Sequence, residues 1–418
     1  MRVYQYLIVS CLIFASLTSG AQKIIYSEPD HNDTRRINFE IIGKVSGNFL
    51  IYKNIRDRSY ISVYNNDMEQ VARELHDYVP QERLINVDFF PYADHAYMVY
   101  QYQKRNVVYC KAVKVDGNGR KASQVITIDT SHIGFASTNR IYSAITSENR
   151  ENIMLYKINA RNKSRYIITT LLLNDTLGLK KRTRFLMPME EYNDHLDEFS
   201  LDNDGNLVFA KVRRAGNETI SETKLIWKKA DQDTLTEIPV THTNMYLDEP
   251  HIKIDNVNRR YFLTSFFYRQ RRGNIEGFYF YVWDRDNERT SLENAVELGE
   301  DVRKEARGGS SVRTAFNDFF IRNIIIKKDG GFLINTESYY TSSRIGSWNR
   351  WNYLYGTPTT FDYYTAYSPY SSLWWRNRNL NPQAVRHHAD NLMILSFDNT
   401  GKLQWNNVIH KDQYDDET

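Results

Sequence analysis

Ser396-Phe397-Asp398-Asn399-Thr400-Gly401-Lys402-Leu403-Gln404-Trp405 reads as strand, turn, strand. An Asp at the head of such a turn accepts backbone N–H groups through its carboxylate, and the Gly three residues later supplies a positive φ. The same Asp-x-x-Gly spacing recurs at Asp116 to Gly119, Asp175 to Gly178 and Asp202 to Gly205. Asp255-Asn256-Val257-Asn258 reads as the same device with Asn in the left-handed position, and Lys328-Asp329-Gly330-Gly331 as a tighter one.

Outward from these turns lie short apolar or alternating runs rich in Tyr, Val, Ile, Phe and Thr. They are Phe49 to Tyr52, Tyr60 to Tyr64, Ala96 to Tyr102, Val107 to Val115, Ile153 to Ile158 and Tyr166 to Leu173 in the first half. Leu207 to Val212, Tyr261 to Tyr268, Phe278 to Trp283, Ile321 to Ile326 and Leu392 to Phe397 follow. Period-two runs bounded by Asn, Asp and Gly are strands and hairpins. Helical patterns are nearly absent, and Met68 to Tyr78 reads as an outer strand with its loop rather than a helix. Units begin near Asn38, Leu84, Ile141, Leu196, Tyr246 and Phe319, a spacing of roughly 45 to 75 residues that holds four strands each. The expectation is an all-β propeller of four-stranded blades over residues 22–418, with six blades and seven as the alternative. Lys23 to Tyr26 is strand-like and is expected to complete the last blade; otherwise Tyr414 to Thr418 opens a further one.

The stretch Ser396 to Trp405 resembles the strand-turn-strand of quinoprotein-like and WD40-like repeats, in which Asp-x-x-Gly leads to a docking Trp. That resemblance implies propeller architecture and a docked Trp405, and it implies no quinone, because the other turns lack the Trp. The whole chain is similar to exported propeller proteins of gliding-type, Bacteroidota-like bacteria, which implies export and no particular chemistry.

Met1 to Ala21 reads as a secretory signal: Arg2, an apolar Leu7 to Leu17, and small residues at Ser19-Gly20-Ala21. Its apolar run is too short to span a bilayer, so the mature chain is expected to carry no transmembrane segment. Ile8-Val9-Ser10-Cys11 loosely resembles a lipobox, but Cys11 stands too close to the start. Cleavage leaves Cys110 alone, so no internal disulfide can form and Cys110 reads as a small buried hydrophobe. The formal charge of +3 is mixed along the chain, and nucleic-acid binding would want a broader basic stripe. The expected location is the periplasm, the cell surface or the medium.

No His-Glu-x-x-His, Gly-x-Ser-x-Gly, P-loop or Gly-x-Gly-x-x-Gly is present. His387-His388 with Asp390 invites a metal reading, but neighbours on a strand point to opposite faces, and a plain polar strand entry is the expectation. Ser200 to Gly205 reads as a hairpin turn, since Lys211 stands where a calcium loop wants Glu. Glu190-Glu191, Asp197-Glu198 and Asp248-Glu249 are the carboxylate pairs a glycosidase would use. Leu196-Asp197-Glu198 and Leu247-Asp248-Glu249 occupy equivalent places in successive units, which points to architecture. No cofactor and no metal are expected.

The remaining feature is Tyr339 to Trp375, in which 13 of 37 residues are aromatic amid Ser, Thr, Gly, Asn, Arg and Pro. It falls within an insertion over residues 339–388, between the second and third strands of the last unit. Tyr, Trp and Arg dominate interface hot spots. The expected binding residues are Trp348, Arg350, Trp351, Tyr353, Tyr355, Tyr363, Tyr364, Tyr367, Trp374, Trp375 and Arg376. The expectation is a non-catalytic exported scaffold that binds a protein or another envelope macromolecule. The alternative is carbohydrate recognition or glycoside cleavage, with sugar rings stacked on Trp348, Trp351, Trp374 and Trp375 beside a carboxylate.

Overall fold

Alternating β-branched and aromatic residues, cut every few positions by turn formers, fold into successive four-stranded antiparallel sheets in a propeller-like series. The computed structural model describes residues 24–28, 37–81, 83–134, 140–162, 165–190, 193–215, 219–271, 273–307, 319–342 and 386–416. The chain divides into two units, Met1–Thr138 and Asn139–Thr418.

The first unit holds two meanders. One is β1 (Ile37–Val45), β2 (Asn48–Ile55), β3 (Arg58–Tyr64) and β4 (Gln70–Leu75); the other is β5 (Leu84–Pro91), β6 (His95–Lys104), β7 (Val107–Asp116) and β8 (Ile126–His132). Val45, Leu50, Ile61 and Val63 of the first pack on Ala96, Met98, Val113 and Val115 of the second. The β1–β2 turn is tied to the β5–β6 turn where Ser46 N–H donates to the Ala93 carbonyl at 2.8 Å.

The second unit continues the pattern. Its first sheet is β9 (Ser143–Thr146), β10 (Asn152–Asn162), β11 (Arg165–Asn174) and β12 (Leu179–Pro188). A nine-stranded sheet follows, which is two meanders joined. They are β13 (Asp194–Leu201), β14 (Leu207–Arg214), β15 (Ile220–Lys228) and β16 (Thr236–Val240), then β18 (His251–Asp255), β19 (Arg260–Tyr268), β20 (Gly277–Asp284) and β21 (Arg289–Glu297). The short β17 (Tyr246–Leu247) bridges them by pairing with both β15 and β19. The last sheet is β22 (Phe319–Ile326), β23 (Phe332–Ser342), β24 (Arg386–Phe397) and β25 (Leu403–Ile409), with β26 (Gln413–Asp416) added beside β24.

First strands of successive sheets are neighbours: β9 with β13, β13 with β18, β18 with β22. The turns that follow them are chained by side chains. Asn149 N–H donates to Asn203 Oδ1 at 3.0 Å, Asn203 N–H to Asn256 Oδ1 at 3.0 Å, and Arg260 Nη2 to the Gly330 carbonyl at 3.2 Å. Behind the turns, faces of adjacent sheets enclose apolar cores, the last rich in rings, with Phe332 stacked on Phe397 at 4.8 Å and crossed by Phe280 at 5.2 Å. A fully buried ring of this kind contributes about 1.5–3 kcal/mol.

Several expectations are corrected. Trp405 is 48% exposed on the outer strand β25 and docks on nothing comparable to a core. The close approach belongs to Gly401, where a Cβ would stand 2.5 Å from Phe280 Cζ. The Asp175 turn starts one residue earlier: Asn174 Oδ1 accepts from Thr176 and Gly178 N–H, and Leu177 takes the left-handed φ of 63°. In the turn after Asp255 the left-handed residue is Arg259, φ 54°, not Asn258. Ile24 to Tyr26 forms no strand, and Tyr414 lies in β26 of the last sheet rather than opening another. Among the described residues a helix, α1 (Glu300–Arg307), was not expected; Val302 and Ala306 are its only apolar residues. Met68 to Tyr78 does contain a strand, β4.

Candidate functional site

The insertion leaves the last sheet between β23 and β24. All eleven expected binding residues from Trp348 to Arg376 lie outside the described residues, but the root that carries them is described. Beyond Ser338, where β22 stops pairing, β23 runs on with β24 and β26 as a three-stranded extension. Tyr340 pairs with His388 and Ser342 with Arg386, so the two ends of the insertion are neighbours across a ladder.

The two faces of this extension differ. On one, the Tyr339 hydroxyl meets His387 Nδ1, Phe320 stands edge-on to Tyr339 at 6.4 Å, and the Arg322 guanidinium lies 5.4 Å over the Tyr339 ring. Arg322 also donates to Glu337 Oε2 at 2.8 Å. On the other, Tyr340 stacks on His388 at 4.5 Å and 7°, with Tyr414 6.4 Å further along. His388 on this face is joined by Asp390 and by Asp412 from the β25–β26 connection. The expected separation of His387 from His388 by strand alternation therefore holds, while a third group, Asp412, was not foreseen.

A second constellation sits on the first strands of the nine-stranded sheet. β13 bulges between Asp197 and Ser200, and Glu198 adopts a left-handed φ of 56° there. Such a backbone costs of order 1–3 kcal/mol for a non-glycine residue. It carries the Glu198 carboxylate across to β18, where Oε2 accepts the Ile252 N–H at 3.0 Å. His251 stands between two acids, Nδ1 3.8 Å from Glu198 and Nε2 3.7 Å from Glu249. Burial, then the neighbouring Asp197 charge, pushes the Glu198 carboxyl up to about 8. A carboxyl that keeps its proton near neutrality beside an imidazole has the makings of an acid–base pair. The two Leu-Asp-Glu segments thus meet through His251, which lies two residues past Glu249 and was passed over in the sequence.

Other carboxylates are committed to the scaffold. Glu190 bonds Lys224 at 3.1 Å, Arg213 at 3.0 Å and Lys211 at 3.3 Å, and these cations hold its carboxyl down to about 2. Glu191 lies outside the described residues. Asp202, wholly buried, accepts Asp204 and Asn206 N–H groups on Oδ1 and the Tyr261 hydroxyl at 2.8 Å on Oδ2, where the buried Arg285 also bonds. The Ser200 to Gly205 segment is thereby a hairpin turn, its acid neutralised by arginine.

No family model matches the chain, and no curated protein matches its sequence. Among solved structures it is similar to a prolyl endopeptidase, at 10% identity and TM-score 0.40 over 90% of this chain and 50% of that one. It is similar also to prolyl oligopeptidase B from Galerina marginata, at 14% identity and TM-score 0.38 over 78% and 41%. Synechocystis apocarotenoid oxygenase matches at 8% identity and TM-score 0.36 over 72% and 67%. The chain spans about half the length of the prolyl endopeptidase, and likenesses this distant say nothing of activity.

Proposed function

We propose that this is an exported, six-bladed propeller scaffold that binds a protein or other envelope macromolecule through the aromatic insertion, without catalysis. The observation that carries the reading is the insertion's root: a strand extension stapled by Tyr340 on His388 and Tyr339 on His387, from which an aromatic and arginine-rich segment departs. Ends already paired fix where the segment leaves and re-enters the sheet, so the fold itself meets part of the cost of closing that loop. Of the candidate acids, Glu190 further supports a non-catalytic role, since structural ion pairs consume it.

The test removes residues 343–381 and compares capture of envelope extract by the intact and shortened chains. Loss of partner capture with an unchanged thermal midpoint is expected. A large fall in the midpoint would mean that the rings serve only packing, and undiminished capture would refute the assignment.

The Glu198–His251–Glu249 cluster favours one second reading, acid–base cleavage of a glycoside. Turnover of an envelope polysaccharide that disappears in Glu198→Gln would establish it, and the absence of turnover across a glycan panel would remove it.

A further inference from the structure

We propose that His388, Asp390 and Asp412 form a site for a borderline divalent ion such as Zn2+ at the root of the insertion. One ligand atom from each lies within 4.8 Å of the other two. Zinc at about 2.0–2.2 Å from nitrogen and oxygen ligands needs them about 3.4 Å apart, so binding would draw the three groups together. One imidazole with two carboxylates suits zinc better than calcium or magnesium, which prefer oxygen alone. Three protein ligands leave a fourth position open.

A second observation points to a cation rather than a polar surface. Asp390 Oδ1 is closed off from solvent and has no hydrogen-bond partner among the described residues. Leaving a charged oxygen so placed is costly. Asp412 stands beside it in the same cluster and adds a second negative group there. A cation shared by the two acids gives that oxygen a partner and offsets their like charge.

The surroundings hold the ligands in place. Tyr340 hydrogen-bonds the Asp390 side chain and stacks on His388. Asn391 donates to the Ala306 carbonyl of α1 at 2.8 Å and accepts the Lys411 N–H at 3.2 Å, which sets Asp412 beside β24. A neighbouring cation, Lys411 Nζ, is engaged by Glu337 and by Gln413. Supporting groups that orient ligands in this way are what metal sites require.

The experiment is Zn2+ titration of the tag-free, chelator-treated full chain by calorimetry, with thermal unfolding in parallel. One Zn2+ per chain, a raised thermal midpoint, and at least tenfold weaker binding in Asp412→Asn are expected. Asp412 is exposed, so this variant folds normally; Asp415→Asn on the adjoining strand β26 serves as control and should bind as the parent does. Failure to bind Zn2+ stoichiometrically, equal affinity in Asp412→Asn, or tighter binding of Ca2+ than of Zn2+ would each overturn the site.

Discussion

Glu198 on β13 accepts the backbone N–H of Ile252 on β18 at 3.0 Å, so the first strands of two successive meanders are joined by a carboxyl rather than by a ladder. The join depends on a bulge and a left-handed glutamate. Neither would persist without the contact they make possible.

Because the folded carboxyl of Glu198 holds its proton to about 8, folding there binds a proton that the unfolded chain releases in the ordinary glutamate range. The stability it contributes is complete at acid pH below that range and declines as pH rises toward 8. The thermal midpoint should fall between pH 5 and 8, and Glu198→Gln should flatten that fall, because glutamine still accepts the Ile252 N–H and never ionises. An identical slope in the variant would refute the assignment.

Glu190 acts in the opposite sense. Its carboxyl is held down to about 2 by Lys224, Arg213 and Lys211, so its contribution is present above the ordinary glutamate range and lost as pH falls toward 2. Glu190→Gln should lower the midpoint at pH 7 and leave it nearly unchanged at pH 2, with the pH 7 effect reduced by salt because the pair is half exposed.

Removing Asp202 strands the buried Arg285 guanidinium and the Tyr261 hydroxyl at once. Asp202→Ala should cost about 3–5 kcal/mol in denaturant unfolding. A loss below ~1 kcal/mol would show that Asp204, 3.3 Å from Arg285, suffices alone.

Two left-handed glycines separate strain from overpacking. Gly47, φ 87°, has nothing within 4 Å of an added Cβ, whereas Gly401, φ 78°, would drive one into Phe280 and Leu292. Gly47→Ala should cost about 1 kcal/mol from backbone alone, and Gly401→Ala about 2–4 kcal/mol. Equal losses by chemical denaturation would contradict the packing described.

Cys110 on β7 is fully buried. A thiol reagent should fail to label it in native buffer and label it fully in denaturant; rapid native labelling would place β7 at an accessible surface.

What was legible in the sequence follows from which strands bury a face. All eleven runs named from apolar alternation lie within strands, because β2, β3, β6, β7, β10, β11, β14, β19, β20, β22 and β24 each present residues to a core. The outer strands β8, β12 and β21, with mostly exposed side chains, carry no such signal, while the inner strand β15, buried at Leu225 and Trp227, was also missed because Glu222, Lys224 and Lys228 interrupt its apolar pattern. Turn chemistry was read correctly at Asp116, Asp202 and Asp398, and shifted by a residue at Asn174. There Leu177 rather than glycine takes the positive φ, a choice that sequence preference argues against.

By itself the sequence determined the strand-and-turn grammar and the burial of Cys110, both of which depend on neighbours a few residues apart. Only the tertiary structure decided that Glu198 reaches Ile252, that His251 sits between two acids, and that Asp412 joins His388 and Asp390. Those meetings depend on bulges, on strand register and on which sheet a late strand joins. Such quantities are set by packing between segments distant in the chain, and residue order at any one of them does not encode the other.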